Sequence, residues 1–158
     1  MGLRITATLL AVAAVLAFSN GLHAASAVDV SADSFESIDA EHKTIFRGNV
    51  VAVRPTDTTK SDEMTIISGD EKQADGTTKN VTKFVDCKGN VTINTKDATI
   101  TGDICKLDVL HDKLVVTGAI VTLTQGTTVL KGKQLDVELK TNHIQMTGGR
   151  VNGNFVPN

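Results

Sequence analysis

The amino-acid sequence predicts an all-β fold of successive antiparallel strands built from units of about 30 residues, and three observations carry that expectation. The first is a repeat: GNVTINTKDATITGDICKLDVLHDKLVVTG, beginning at Gly89, is followed from Gly118 by GAIVTLTQGTTVLKGKQLDVELKTNHIQMTG. The leading glycines Gly89, Gly118 and Gly148 lie 29 and then 30 residues apart, a second glycine recurs inside each copy (Gly102, Gly132), and both copies hold the triplet Leu-Asp-Val. Gly48 heads an earlier copy. Self-similarity at a fixed period marks an architecture in which each unit covers its apolar face with the next. The second observation is composition: past the first 27 residues there is no Trp or Tyr, and Thr, Val, Ile, Asp and Gly dominate, which favours strands and turns. The third is alternation of apolar and polar residues around each glycine, the period of a strand whose side chains point to opposite faces in turn.

Residues 1–27 stand apart. Arg4, the apolar run from Ile5 to Phe18 and the small-x-small site Ala25-Ser26-Ala27 have the layout of a secretory signal peptide. The run is short of the roughly 20 apolar residues that span a membrane. No cysteine lies near the cleavage region to take a lipid. Residues 28–158 are expected to form one domain.

Within it, strands are expected at about 28–33, 35–41, 43–53, 63–68, 80–87, 89–95, 98–110, 112–118, 119–125, 127–131, 134–140, 142–147 and 149–156, with glycines separating neighbours. Positions two and four before each repeat glycine, and two after it, share one face: Thr44, Phe46 and Val50; Val85, Cys87 and Val91; Leu114, Val116 and Ile120; Ile144 and Met146. Arg150 breaks the pattern, as a terminal cap or a shift of register would. The segment 54–80 departs from the repeat, holding Pro55, a Thr/Asp/Lys run and a turn-rich stretch, with Met64, Ile66 and Ile67 as apolar anchors. It reads as an inserted hairpin or solvated loop. The expected interior residues are Phe46, Val50, Val85, Val91, Ile93, Ile100, Leu107, Val109, Leu114, Val116, Ile120, Leu130, Leu135, Val137, Ile144 and Met146. They either pack wall to wall or line an open groove.

Several functions are disfavoured. Sixteen basic against 18 acidic residues, without a basic stripe or stacking aromatics, argue against a nucleic-acid partner. No nucleophile elbow, phosphate-cradling loop or zinc helix is present, and the aromatics that flank sugar-cleaving carboxylates are missing, so no enzyme activity and no cofactor are expected. His42, His111 and His143 fall at loosely equivalent turns and could line up as a metal or acidic-headgroup site. Repeated surface turns explain them more simply, and no metal is assigned. Cys87 and Cys105, the two cysteines, both follow the inward parity. They are either a disulfide, contributing on the order of 3 kcal/mol by loop entropy, or two buried free thiols.

The opening Val30-Ser31-Ala32-Asp33-Ser34, the pair of segments Ile38-Asp39-Ala40 and Ile45-Phe46-Arg47-Gly48-Asn49-Val50-Val51, and the later Gly-Asn-Val and Leu-Asp-Val units resemble the periplasmic lipopolysaccharide-transport protein A family, also called OstA-like. The resemblance spans essentially all of residues 28–158. It implies a semi-open β-jellyroll whose apolar interior shields the acyl chains of lipopolysaccharide in the periplasm. It also implies end-to-end strand association, with itself and with inner-membrane and outer-membrane components of a transport bridge, through edges near Val28 and Val30 and near Val151 and Phe155. An aliphatic groove suffices for such cargo, because each acyl methylene withdrawn from water contributes about 0.8 kcal/mol. Two other readings stay open: a secreted structural β-solenoid without cargo, and a membrane-anchored partner of the same pathway that keeps its N-terminal helix.

Overall fold

The computed structural model describes residues 28–155, and over these the chain forms one ten-stranded antiparallel sheet. The strands are β1 (Asp29–Ser31), β2 (Ser34–Ile38), β3 (Lys43–Val53), β4 (Asp57–Lys72), β5 (Thr78–Thr95), β6 (Thr99–Asp108), β7 (Lys113–Gln125), β8 (Thr128–Glu138), β9 (His143–Thr147) and β10 (Asn152–Asn154). From β3 to β8 each strand pairs with the next in sequence. The two edges are each one pass of chain broken in the middle. β1 and β2 lie along the two halves of β3, and β9 and β10 along the two halves of β8. The sheet is not closed into a barrel.

A line of irregularities crosses the long strands β3 to β8 near their midpoints. Register shifts interrupt the ladder between Arg47 and Val50, between Lys60 and Glu63, between Lys88 and Val91, and between Thr101 and Ile104. They continue between Thr117 and Val121. In β3 and β5 the inserted pair is Gly48-Asn49 and Gly89-Asn90, all four residues having positive φ. Glycine adopts that conformation without a Cβ penalty and Asn is the residue that next best tolerates it, so the Gly-Asn pair writes the bulge into the sequence. A carboxylate on the preceding pass holds each bulge. Asn49 Nδ2 donates to Asp33 Oδ2 and Asn90 Nδ2 to Asp62 Oδ2, both at 2.8 Å, and the Ala119 amide donates to Asp103 Oδ2 at 2.8 Å. Bulges bend strands and sharpen their twist, so a bulge at the same height in each strand creases the whole sheet. One hydrophobic cluster contains residues from both sides of this crease, Met64, Cys87, Val116 and Leu135 before it and Val50, Val91, Val121 and Leu123 after it in space. The sheet is thus folded over on itself, with the core between its two halves.

The crease also explains the second set of recurring glycines. Inward positions beside it alternate Val50, Ser61, Val91, Gly102, Val121 and Gly132 across the strands. A Cβ on Gly102 would sit 2.6 Å from Val116 Cγ1 and 3.2 Å from the Thr117 carbonyl oxygen. Small residues on one strand make room for valine on its neighbours.

Two expectations about chain organisation change. Two of the repeat glycines, Gly89 and Gly118, do not end strands: 80–87 and 89–95 are one strand, β5, and 112–118 and 119–125 are another, β7, while Gly148 follows the end of β9. Each repeat is therefore a pair of long creased strands in a meander. The segment 54–80 is not an insertion outside the repeat. It supplies β4, which pairs with β5 over most of its length and with β3 over residues 58–67, its end forming a hairpin in which 68–72 pair with 78–82 of β5. The expected leader, 1–27, lies outside the described residues.

Candidate functional site

The inward side chains line up in rows that run across the strands. Before the crease, one row is Thr44, Ile66, Val85, Leu107, Leu114, Val137 and Ile144. The next is Phe35, Phe46, Met64, Cys87, Cys105, Val116, Leu135 and Met146. After the crease a matching row is Val30, Ala52, Thr59, Ile93, Ile100, Leu123, Leu130 and Gly153. Each row reaches from one sheet edge to the other, and none contains a charged side chain. A single sheet cannot by itself bury one of its faces. The exposures of 0% at Val116, Val121 and Leu135 require the facing half-sheet to cover them. In the centre the two walls touch.

Burial relaxes toward both edges. At the N-terminal edge Phe35 is 64% exposed, its ring 6.2 Å from that of half-buried Phe46. At the C-terminal edge Met146 is half-buried, while Ile144, Val151 and Phe155 are exposed. The result is an apolar interior, dry in its middle and exposed at its two ends, where β1, β2, β9 and β10 also leave backbone groups unpaired on their outer sides.

Charge is kept outside this interior and at the strand ends. Arg54 and Asp57 form a largely buried ion pair at 2.6 Å in the β3–β4 turn. At the other end Lys140 reaches Asp112 at 3.2 Å, and the Leu139 amide donates to the Asp112 carbonyl at 2.8 Å, tying neighbouring turns together. On the outer face the hydrogen bond from Arg47 to Glu36 at 2.8 Å, joined by Glu63 at 3.1 Å, raises the guanidinium pKa further. Partial burial pushes the Asp108 carboxyl up, but hydrogen bonds from the His111 ring and amide outweigh it and leave the carboxyl below its usual value. In the interior, the neighbouring Cys105 thiol and burial together push the Cys87 thiol far up, so it stays protonated.

The sequence model of the family described as LptA/(LptD N-terminal domain) LPS transport protein matches residues 29–143. The chain belongs to this family. An uncharacterized protein of Rhizobium meliloti (strain 1021) is 29% identical over 129 residues, covering 78% of this chain and 68% of that protein. The fold resembles LptH, the LptA-homologous periplasmic component of the lipopolysaccharide transport device from Pseudomonas aeruginosa. That likeness has a TM-score of 0.67 at 16% identity, over 82% of this chain and 95% of the other. A family of transport proteins and an open antiparallel jellyroll agree with the expectation drawn from the sequence.

Most of the expected interior residues of this LptA-like domain do face inward. Val50, Val85, Val91, Ile93, Ile100, Leu107, Leu114, Val116, Leu135 and Val137 are buried, and Phe46, Val109, Leu130 and Met146 pack against them half-buried. Two depart. Ile120 is 65% exposed on the outer face, because the β7 bulge is one residue longer than those of β3 and β5: Gly118, Ala119 and Ile120 oppose the single residue Lys133. The inward place falls to Val121. Ile144 has inward parity opposite Val137 but is 44% exposed, since β9 is an edge with no strand beyond it. Met64, Ile66, Ala52, Val121 and Leu123 belong to the core and were not among the expected residues. Met64 and Ile66 did carry a signal, two apolar residues at strand spacing.

The expected edge residues lie where the sheet ends. Val28 and Val30 are half-buried beside β3, and Val151 and Phe155 are exposed beside β8. The three histidines do not line up. The left-handed position of the turn is His42 in one case and Asp112 and Asn142 in the others, with His111 one residue before it and His143 one after. Cys87 and Cys105 are direct cross-strand partners and are both free thiols in the structure.

Proposed function

We propose that this protein carries lipopolysaccharide through the periplasm, sheltering its acyl chains between the two halves of the folded sheet and leaving the sugars in water. The observation that supports this most directly is the continuity of the uncharged rows from Phe35 and Phe46 at one edge to Ile144 and Met146 at the other. Acyl chains enter and leave at the two edges, where the apolar rows are already exposed, and burial of methylenes supplies the affinity without directional contacts. The unpaired strands at both edges suit end-to-end addition of like-folded domains, making this chain one module of a bridge between inner-membrane and outer-membrane components. The expected leader would deliver it to that compartment.

Photo-crosslinking residues placed at Phe46 and Met146 in living cells should capture lipopolysaccharide, and one at Ile120 should not. Capture at none of the three, or equal capture at Ile120, overturns the proposal. A second reading, a repeat protein that polymerises edge to edge without cargo, is favoured by the dry centre at Val116 and Leu135. It requires a protein that associates but never copurifies with lipid.

A further inference from the structure

The middle row before the crease carries a chemistry that lipid shelter does not use. Cys87 on β5 and Cys105 on β6 are directly opposed, flanked in the same row by Met64 and Val116. Directly opposed antiparallel residues have Cα atoms about 4.5 to 5.5 Å apart. That lies inside the span of about 4.4 to 6.8 Å that a disulfide bridges. The two thiols sit side by side as cross-strand partners on the inward face. Their exposures are 1% and 3%. Thiol–disulfide exchange needs a thiolate and an in-line approach by the attacking or departing sulfur. The folded interior gives no such approach. The protonated Cys87 thiol is a poor nucleophile, and β4, β7 and the opposite half-sheet cover both sulfurs.

We propose that Cys87 and Cys105 form a cross-strand disulfide that is made while the chain is open and sealed when the sheet folds over it. The redox state is thus fixed at folding and is not a switch in the finished protein. The oxidant is a disulfide-bearing small molecule or protein. One cysteine thiolate attacks a sulfur of that disulfide, forming a mixed disulfide and releasing one thiol. The second cysteine thiolate then attacks the mixed disulfide at the protein sulfur and releases the other. Two protons and two electrons pass from the cysteines to the oxidant. The bond ties β5 to β6 in the buried centre of the sheet and touches neither edge, so it does not depend on the lipid reading.

The test uses the mature chain unfolded in urea, oxidised with glutathione disulfide and refolded, beside the same chain refolded with its thiols reduced. The oxidised protein should lack two hydrogens in mass, should melt several degrees higher, and should keep its bond in dithiothreitol until it is unfolded. The folded reduced protein should stay reduced in glutathione disulfide. A Cys87→Val, Cys105→Val variant, which keeps the row apolar, should melt at one temperature whichever treatment it receives. An oxidised protein that melts no higher than the reduced one overturns the disulfide. A folded protein that exchanges as fast as the unfolded chain overturns the seal.

Discussion

The centre of the folded sheet and its two edges are built from the same kind of residue in the same rows, yet they behave as different materials. Leu114, Val137 and Ile144 are consecutive members of one row; the first two are buried and the third is 44% exposed. Nothing in their chemistry separates them. What differs is the number of neighbours: a central residue has strands on both sides and the opposite wall above it, and an edge residue lacks one side. Side-chain identity decides which face a residue takes, and position in the strand order decides whether that face is dry. The centre therefore provides stability, and the edges, where apolar surface and unpaired backbone coincide, are left free for contact.

The comparison breaks most sharply with charge. Val116→Asp puts a carboxylate at a position with no exposure and no partner, at a cost on the order of 4 kcal/mol or more. Set against a total stability of about 5 to 15 kcal/mol, that should abolish cooperative melting or lower the midpoint steeply. Ile120→Asp, only four residues on, should shift stability by less than about 0.5 kcal/mol because that side chain is outward. Urea melts of the two variants decide it, and equal damage would mean that the β7 bulge does not have this register.

A milder truncation sharpens the gradient inside one face. Leu135→Ala should cost about 2 to 5 kcal/mol, the range for emptying a buried leucine site. Ile144→Ala removes a side chain that is nearly half in water, and should cost under about 1 kcal/mol. Next in size is Gly102→Ala at the crease. The new methyl would meet Val116 and the backbone oxygen of Thr117, and the latter cannot move aside as a side chain can. Overpacking of this kind costs about 1 to 3 kcal/mol. Stability indistinguishable from wild type for Gly102→Ala would mean that the crease is looser than described.

How much of this was legible in the sequence follows the same division. The all-β class, the repeat and the inward parity of Val85, Cys87, Leu114, Val116 and Leu135 could be read because alternation and recurring glycines are local signals. The Gly-Asn pairs were visible too, but as punctuation. Whether a glycine ends a strand or bulges it depends on the partner strand, which a local reading does not contain. Ile120 was misplaced for that reason: Ile120 and Val121 are adjacent and both apolar, and only the extra residue opposite Lys133 decides between them. β4 was hidden by its own chemistry, since its inward positions at the crease and beyond are Ser61 and Thr59, which read as loop. Ser61 is small because Val50 and Val91 flank it, a constraint set by packing. The closeness of the two walls in the centre was not legible at all, because it depends on how far the whole sheet folds.

The smallest expected change in stability belongs to the C-terminal edge, and it carries the most information about assembly. Val151 and Phe155 are 43% and 65% exposed, and β10 contributes the sequence Asn-Gly-Asn against Val129, Leu130 and Lys131 of β8. The Phe155 ring lies over Gly153, where a Cβ would come within 2.7 Å of it. That ring covers a strand with little packing of its own. Deleting this segment would bare the same stretch of β8 and so supply a fresh edge, which makes truncation an ambiguous test. Val151→Lys combined with Phe155→Lys keeps the backbone and places charge on surface that is already wet, so the melting midpoint should move by a degree or two, about 0.5 kcal/mol. If a neighbouring domain docks here, those two charges become buried at the joint, and association should weaken at least tenfold, equivalent to about 1.4 kcal/mol. Light scattering over a concentration series measures it. Unchanged association would move the joint to the opposite edge, where Val28→Lys with Val30→Lys is the matching pair, at a higher cost in stability because both side chains are half-buried.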